Sequence, residues 1–278
     1  MVNSVNLKLM GGSSIQFNPS NAMGQIQYGP DGKVNLSNWS DASIFGSQAG
    51  NNMSINDSKN LNVFGGAGND KIQLNNVKDS NVYGGSGNDN ISLNNSTNVK
   101  ADGGRGNDTL TNTNGVHNGL SGGSGNDSLT NVGGMHNKLD GNRGNDSLQN
   151  FGGIQNDLSG GRGNDSLQNV GGYNNKLEGN SGRDSLSNYG GSYNQLSGGR
   201  GNDSLQNVGG FGNRLSGNSG SDSLRNFGGV HNSLSGGRGH DSVRSFGGFG
   251  NHTSGGPGYD HVSNSSFGRF NPFRWLGW

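Results

Sequence analysis

The stretch that decides the fold is GGRGNDSLQ, which runs from Gly160 to Gln168. Its aspartate belongs to a series of eleven that recurs every 19 residues without a slip. The series is Asp70, Asp89, Asp108, Asp127, Asp146, Asp165, Asp184, Asp203, Asp222, Asp241 and Asp260. A strict period without insertions is typical of a solenoid, because every coil needs the same perimeter in order to stack on its neighbours. We therefore expect one long repeat domain.

Two apolar columns accompany the aspartates and predict an inward-facing core. Seven residues before each aspartate lie Val63, Val82, Ala101, Leu120, Leu139, Leu158, Leu177, Leu196, Leu215, Leu234 and finally Thr253. Two residues after each aspartate lie Ile72, Ile91, Leu110, Leu129, Leu148, Leu167, Leu186, Leu205, Leu224, Val243 and Val262. Although only 26% of the residues are hydrophobic, their fixed spacing lets them form a continuous core once the coils stack.

The second half of each repeat centres on a glycine pair such as Gly171-Gly172. On either side of the pair the order of leucine, asparagine and an apolar residue is nearly mirrored. Two adjacent glycines permit positive φ at both positions and so allow a tight chain reversal. Each coil is thus predicted to have two short strands and two Gly-rich turns, which makes the fold an all-β parallel β-roll or β-solenoid.

The residues that flank the glycine pair vary in size in a compensating way. Within a coil a large residue meets a small one, in the pairs Val170 and Tyr173, Tyr189 and Ser192, Val208 and Phe211, and Phe227 and Val230. Constant summed volume is what a packed layer requires. The pattern therefore predicts that these residues are buried.

Asparagine recurs at two further places in the coil. One column is Asn131, Asn150, Asn169, Asn188, Asn207 and Asn226, and the other is Asn137, Asn156, Asn175, Asn194, Asn213, Asn232 and Asn251. Equal amides stacked at about 4.8 Å per coil can form hydrogen-bonded ladders. We interpret these columns as structural.

The motif GGxGNDSLx resembles the nonapeptide GGxGxDxUx of RTX (hemolysin-type) calcium-binding proteins, where U is a large apolar residue. The resemblance covers about residues 65 to 262 and is carried by the first half of each repeat. It implies a parallel β-roll with calcium in the Gly-Asp turns. It also implies that the eleven aspartates are the metal ligands and that each ion lies between adjacent coils.

Two other ways to accommodate the aspartate column stay open at this stage. Arginine lies three residues before the aspartate in five turns, at Arg105, Arg143, Arg162, Arg200 and Arg238, where it could neutralise the carboxylates. Alternatively, each aspartate accepts hydrogen bonds from backbone N–H groups of its own turn. Asn142, Asn180 and Asn218 replace the second glycine of the turn and are expected to disturb its backbone. The second half of the coil has no aspartate column, so one row of ions is expected.

The two ends of the chain differ from the repeat. Residues 1–43 alternate apolar and polar residues and are predicted to form a strand-rich cap that covers the open edge of the solenoid. Residues 44–264 would form the solenoid, in about eleven to twelve coils. Residues 265–278 contain five aromatic residues, which predict a C-terminal cap or an export signal.

Composition restricts the function. The chain has no cysteine, zero formal net charge and no apolar run long enough for a signal peptide or a membrane span. Its 19 basic and 19 acidic residues are scattered along the chain, so that nothing indicates nucleic-acid binding. Its six histidines occupy several different repeat positions and predict solvated turn residues rather than a metal cluster. Uniform repetition gives no unique constellation for catalysis, and the common catalytic motifs are missing. We therefore expect a non-enzyme.

These observations favour a secreted bacterial repeat protein that is exported without a cleaved signal. A structural, adhesive or surface-interaction role, with calcium stabilisation, agrees best with the repeat. The alternatives are a solenoid that binds ice or a polysaccharide, and a filament or matrix protein that associates with itself. Each would be an extracellular protein.

Overall fold

The computed structural model describes residues 5–8, 14–19, 25–28 and 33–267, with side chains from residue 33 onward. Its 28 strands form two 14-stranded sheets, and each coil contributes one strand to each sheet. The predicted all-β parallel solenoid with 19-residue coils is confirmed. Among the described residues no helix is long and apolar enough to span a membrane.

The first sheet contains, in spatial order, β1 (Val5–Lys8), β2 (Ser14–Pro19), β5 (Ser40–Phe45), β7 (Lys59–Ala67), β9 (Lys78–Ser86), β11 (Thr97–Arg105), β13 (Gly119–Ser124), β15 (Lys138–Arg143), β17 (Asp157–Arg162), β19 (Lys176–Ser181), β21 (Gln195–Arg200), β23 (Arg214–Ser219), β25 (Ser233–Arg238) and β27 (His252–Ser254). The second sheet contains β3 (Gln25–Tyr28), β4 (Val34–Ser37), β6 (Asn52–Asn56), β8 (Lys71–Asn75), β10 (Asn90–Asn94), β12 (Thr109–Thr113), β14 (Ser128–Val132), β16 (Ser147–Phe151), β18 (Ser166–Val170), β20 (Ser185–Tyr189), β22 (Ser204–Val208), β24 (Ser223–Phe227), β26 (Ser242–Phe246) and β28 (His261–Asn264).

Neighbouring strands in the repeat are parallel and shifted by one coil, so that equal residues lie above one another. Leu148 is paired with Leu167, and Leu167 is paired with Leu186. Antiparallel pairs occur at the amino end, between β1 and β2, β2 and β5, and β3 and β4. Parallel pairing begins with β4 and β5. The proposed division into 1–43, 44–264 and 265–278 stays a prediction, and residues 268–278 of its last part lie outside the described residues.

The two apolar columns face inward as predicted up to Leu234 and Val243, and the asparagine columns join them. In the last coil the prediction is wrong for Val262, which is 42% exposed. Leu167 and Leu177 are at most 1% exposed, and Asn169 and Asn175 are fully buried. Asn169 Nδ2 donates to Asn188 Oδ1 at 2.7 Å, and the backbone N–H of Asn175 donates to Asn194 Oδ1 at 2.9 Å. The predicted structural ladders are thus present, and they satisfy amides that would be costly to bury unpaired.

The prediction that the residues flanking the glycine pair are buried is wrong. Val170 is 37% exposed, Tyr173 is 50% exposed and Tyr189 is 40% exposed. The asparagines just inside them fill the interior at this edge, so the flanking side chains point away from it. The apolar residues form a band on the surface instead.

The glycine pair makes the turn that the sequence predicted. Gly171 and Gly172 have φ of +76° and +78°, which side chains with a Cβ adopt at a cost. A Cβ on Gly172 would lie 2.3 Å from Asn175 Nδ2, whereas a Cβ on Gly171 would meet nothing within 4 Å. The second glycine is therefore required both for its φ and for the close approach of the asparagine ladder.

Candidate metal centre

The aspartate column lies at the edge of the solenoid opposite the glycine pairs. In each coil the Gly-rich turn connects a strand of the first sheet to one of the second, as between β17 and β18, and the aspartate ends that turn. The side chain points inward, and Asp70 through Asp241 are each at most 3% exposed. Asp260, in the last coil, is less buried. The structure thus brings ten of the predicted site residues into one buried row.

One oxygen of each carboxylate accepts a hydrogen bond from the backbone of the neighbouring coil. Asp165 Oδ1 accepts a hydrogen bond from the backbone N–H of Asp146 at 2.8 Å, and Asp184 Oδ1 accepts one from Asp165 at 2.8 Å. The column begins at Asn51, whose backbone N–H donates to Asp70 Oδ1. The expectation of hydrogen bonds within the aspartate's own turn is therefore wrong, because the donor belongs to the preceding coil.

The other carboxylate oxygen has no hydrogen-bond partner although it is buried. This holds for Oδ2 of Asp70, Asp89, Asp108, Asp127, Asp146, Asp165, Asp184, Asp203, Asp222 and Asp241. A buried charged oxygen without a donor or a cation is costly. Ten such atoms in one row indicate a site for a positively charged ligand.

Burial is also the main cause of a raised pKa along the column. It raises the pKa of Asp70 and Asp165 to about 7, and hydrogen bonds from the backbone only partly oppose this. The pKa rises to about 6 at Asp108, Asp127, Asp184 and Asp222. Neighbouring aspartates contribute to several of these rises, for example Asp184 and Asp146 at Asp165. Without a cation these carboxylates are thus partly protonated near neutral pH, and a bound cation would favour the charged form.

The Gly-rich turn aims a second type of oxygen at the same place. A Cβ on Gly141 would lie 2.4 Å from Asp146 Oδ2 and 2.6 Å from the carbonyl oxygen of Gly160 in the next coil. Gly179 repeats this geometry, at 2.4 Å from Asp184 Oδ2 and 2.6 Å from the next coil's carbonyl oxygen. Carboxylate and carbonyl oxygens are the ligands that calcium prefers. The donor set therefore fits calcium, and the glycine is required because a side chain would fill the same space.

The arginines do not neutralise the column. Arg105, Arg143, Arg162, Arg200 and Arg238 are all exposed at the outer side of the turn. Lys138 forms an ion pair with Asp140 and Lys176 forms one with Glu178, and neither pair involves the column. The arginine alternative is therefore wrong, because at three residues before the aspartate the side chain points outward while the carboxylate points inward.

The asparagines that replace the second glycine leave the turn in place. Asn142, Asn180 and Asn218 have φ of +71°, +76° and +74°, whereas glycines at the same position, such as Gly161, lie near +112°. Asparagine tolerates positive φ better than most residues. Asn142 also keeps its register between Gly123 and Gly161. The expected disturbance amounts to a local change in φ.

A cluster of three or more histidine, cysteine or acidic side chains suited to a metal is not found in the described part of the chain. A cation in the column would therefore depend on one or two carboxylates and on backbone carbonyls. Sequence reasoning identified the aspartates but missed the inter-coil hydrogen bond, which leaves one oxygen of each carboxylate available. No residue pattern distinguishes the two oxygens.

Comparison with known proteins agrees with this arrangement. The RTX calcium-binding nonapeptide repeat matches residues 62–76, 78–99, 169–192 and 189–206. This confirms the sequence-based recognition of the repeat and of calcium as its cofactor. No curated protein matches the chain.

A similar solved structure is that of a hyperactive, Ca2+-dependent, β-helical antifreeze protein from an Antarctic bacterium. It has a TM-score of 0.59 and 20% sequence identity, with 79% of each chain covered. At this identity the likeness shows the β-helical fold.

Proposed function

Since this chain carries RTX calcium-binding repeats, we propose that the carboxylates of Asp70 to Asp260 hold a row of calcium ions between adjacent coils. The calcium-loaded solenoid would then act outside the cell as a structural, adhesive or surface-interaction protein. The observation that carries the proposal is the row of ten buried Oδ2 atoms without a hydrogen-bond partner. In each site the partnerless Oδ2 and Gly-turn carbonyl oxygens of neighbouring coils would be the ligands.

Calcium would couple the stability of the solenoid to its location. Stacked carboxylates about 4.8 Å apart repel one another, and each divalent ion would offset that repulsion while linking two coils. Extracellular calcium modules bind with dissociation constants of about 10⁻⁴ to 10⁻³ M. Sites of that affinity fill outside the cell and stay empty in the cytosol, which supports an extracellular role.

Thermal unfolding in calcium and in chelator, followed by circular dichroism, tests this proposal. We expect calcium to raise the melting temperature of the wild type. Asp165→Asn should reduce this rise, because the amide carries no charge. Asp157→Asn is the matched control, since Asp157 is exposed and lies outside the column. Equal melting in calcium and chelator would contradict the proposal, and so would equal calcium responses of the two variants.

Ice binding is a second candidate, and the observation that favours it is the similarity to the antifreeze structure. The outer faces of the strands are regular but carry mainly Ser, Gln, Lys, Arg and Asp rather than a threonine column. Thermal hysteresis of the calcium-loaded protein tests this candidate directly. A measurable freezing hysteresis would favour ice as the ligand, and its absence in a folded sample would exclude ice.

The two ends of the chain complete the proposal. Residues 1–43 would protect the open edge of the solenoid, and the aromatic residues in 265–278 would cap the last coil or direct export. The proposed role is non-catalytic.

A further inference from the structure

The glycine-pair edge carries a continuous apolar surface that the calcium proposal leaves without a function. Eleven large apolar side chains along this edge are 37% to 50% exposed. We call them the Gly-Gly band, and it consists of Val132, Met135, Phe151, Ile154, Val170, Tyr173, Tyr189, Tyr193, Phe211, Phe227 and Phe246. Contiguous exposed apolar patches of this kind mark interaction sites in soluble proteins.

Charge is excluded from this band and confined to its borders. Between the fifth and the ninth residue after each aspartate from Asp127 to Asp241 the sequence has no Asp, Glu, Lys or Arg. Charged residues recur from the eleventh residue after the aspartate, for example Lys138 and Lys176. These lysines form ion pairs with Asp140 and Glu178, respectively. An apolar centre with a polar rim is the usual anatomy of a protein–protein interface.

The ring orientations disfavour a flat ligand. Tyr173, Tyr193 and Phe211 contact one another edge to face, with interplanar angles of 71° and 78°. The same arrangement continues to His231 at 89°. A sugar chain or an ice plane would need ring faces or side-chain ends in one common plane. Rings that alternate in orientation instead form knobs and gaps, which suit an interdigitating protein surface. Phe227 and Phe246, on the other side of the glycine pairs, are stacked at 12°.

We propose that the Gly-Gly band is an interface between two copies of this chain. A second copy has the same coil spacing, so its side chains stay in register with the band over its whole length. Other partners would lose register after a few coils. With roughly 50 to 100 Å² exposed by each side chain, the band presents roughly 600 to 1,100 Å², against the roughly 800 Å² per partner of a stable complex.

The size pattern in the four coils from Val170 to Val230 specifies a parallel arrangement, whereas the next coil has two large residues, Phe246 and Phe249. Suppose that a two-fold axis runs parallel to the solenoid, directly outside the glycine pairs. Each coil of one copy then faces the equivalent coil of the other copy. The fifth residue after the aspartate in one copy would contact the eighth residue after the aspartate in the other. Val170 would then face Tyr173 of the second copy, and Tyr189 would face its Ser192. Large again meets small, and Val208 with Phe211 continues the series. The compensation in volume is thus made between copies.

The band is also held rigid before any partner binds. Asn169 Nδ2 donates to the carbonyl oxygen of Gly171 at 2.7 Å, and the ladder repeats this bond at Asn188 and Gly190 at 2.8 Å. Turns fixed in this way lose little conformational entropy on association. The glycine turns therefore present the apolar side chains in a preformed surface.

Sedimentation equilibrium of the full chain in calcium tests the interface. We expect a dimer for the wild type and at least a ~10-fold weaker dimer for Tyr189→Glu, because a buried central aromatic residue typically dominates an interface. Tyr83→Glu is the matched control, since Tyr83 is also 40% exposed but lies outside the band, and it should dimerise like the wild type. Phe227→Ser repeats the test without adding a charge. Circular dichroism establishes that each variant is folded.

A wild type that stays monomeric at all concentrations would overturn the proposal, and binding of glycans or lipid vesicles by such a monomer would assign the band to that ligand instead. Equal dimerisation of folded Tyr189→Glu and Tyr83→Glu would also overturn it. The arrangement is tested with cysteines, because the chain has none of its own. A mixture of Tyr189→Cys and Ser192→Cys chains should form disulfide-linked dimers faster than either variant alone, and failure to do so would overturn the parallel arrangement.

Discussion

The first and the second half of the solenoid have coils of the same length but differ in one interior column, the position four residues after the aspartate. In the first half this position holds the buried residues Leu74 and Leu93. From Asn112 to Asn226 the same position holds asparagine, followed by Ser245, and apolar side chains such as Tyr173 appear on the outside of the far turn instead. Leu93 and Asn112 are direct neighbours in the sheet, so the exchange occurs between two consecutive coils.

This difference teaches that the backbone stack accepts an amide column at this position, while the two apolar columns, with residues such as Leu148 and Leu158, stay buried. The strands keep parallel pairing and a 19-residue shift across the boundary. An amide column is acceptable inside because each amide donates to the next one, as Asn150 Nδ2 does to Asn169 Oδ1 at 2.6 Å. A run of coils can therefore carry leucine or asparagine at this position, whereas a single amide within a leucine run is left unpaired.

The largest effect is expected from an amide placed inside the apolar half. Leu74→Asn would lie between Ile55 and Leu93, where it finds no amide neighbour in its column. Lost burial and an unpaired amide should lower the free energy of unfolding by about 3 to 5 kcal/mol. Leu93→Asn is the control, because Asn112 in the next coil offers a partner, and it should cost clearly less. Urea unfolding measures both, and equal costs would contradict the ladder argument.

Replacing an asparagine by leucine in the amide half should lower the free energy of unfolding by slightly less. Asn169→Leu removes four hydrogen bonds, to Asn150, Asn175, Asn188 and Gly171, and should cost about 2 to 4 kcal/mol. Asn112→Leu, at the boundary, removes two, to Asn131 and Asn118, and continues the leucine column. We expect it to cost about half as much. A greater loss at Asn112 would show that the halves do not differ in the way described.

The sequence predicts the stack and its inward-facing leucine columns, but not the exposure of the residues that flank the glycine pair. Strict spacing fixes the register of Leu167 and Asp165, because only equal residues can lie above one another. The compensating volumes of the flanking residues Val170 and Tyr173 predict that they are buried, but a layer between two copies requires the same compensation. Their true position depends on Asn169 and Asn175, whose cross-coil amide bonds fill the interior. Spacing alone does not decide between an amide and an aromatic interior.

The far turns should differ in their tolerance of alanine. Gly172→Ala adds a Cβ that would lie 2.3 Å from Asn175 Nδ2 at positive φ, and should cost about 2 to 3 kcal/mol. Gly171→Ala meets nothing within 4 Å and should cost about 1 kcal/mol for its φ alone. Thermal unfolding of the two variants compares them directly. Equal melting temperatures would mean that the asparagine ladder does not constrain the turn.

The last expected effect is that of pH on the calcium-free protein. Burial raises the pKa of Asp165 from 3.8 to about 7, so between these values the folded chain binds more protons than the unfolded chain. Stability in chelator should therefore fall as the pH rises from about 4 to about 7. In calcium the trend should reverse, because protonation releases the ion. Melting temperatures across this range measure both trends, and a rise with pH in chelator would contradict the burial of the carboxylates.

The most direct test of the account is the calcium stoichiometry of the whole chain, measured by equilibrium dialysis at saturating calcium. The ten partnerless Oδ2 atoms predict about ten ions per chain, held in one row. A folded protein that binds none, or one or two, would contradict the claim that the aspartate column is a calcium site.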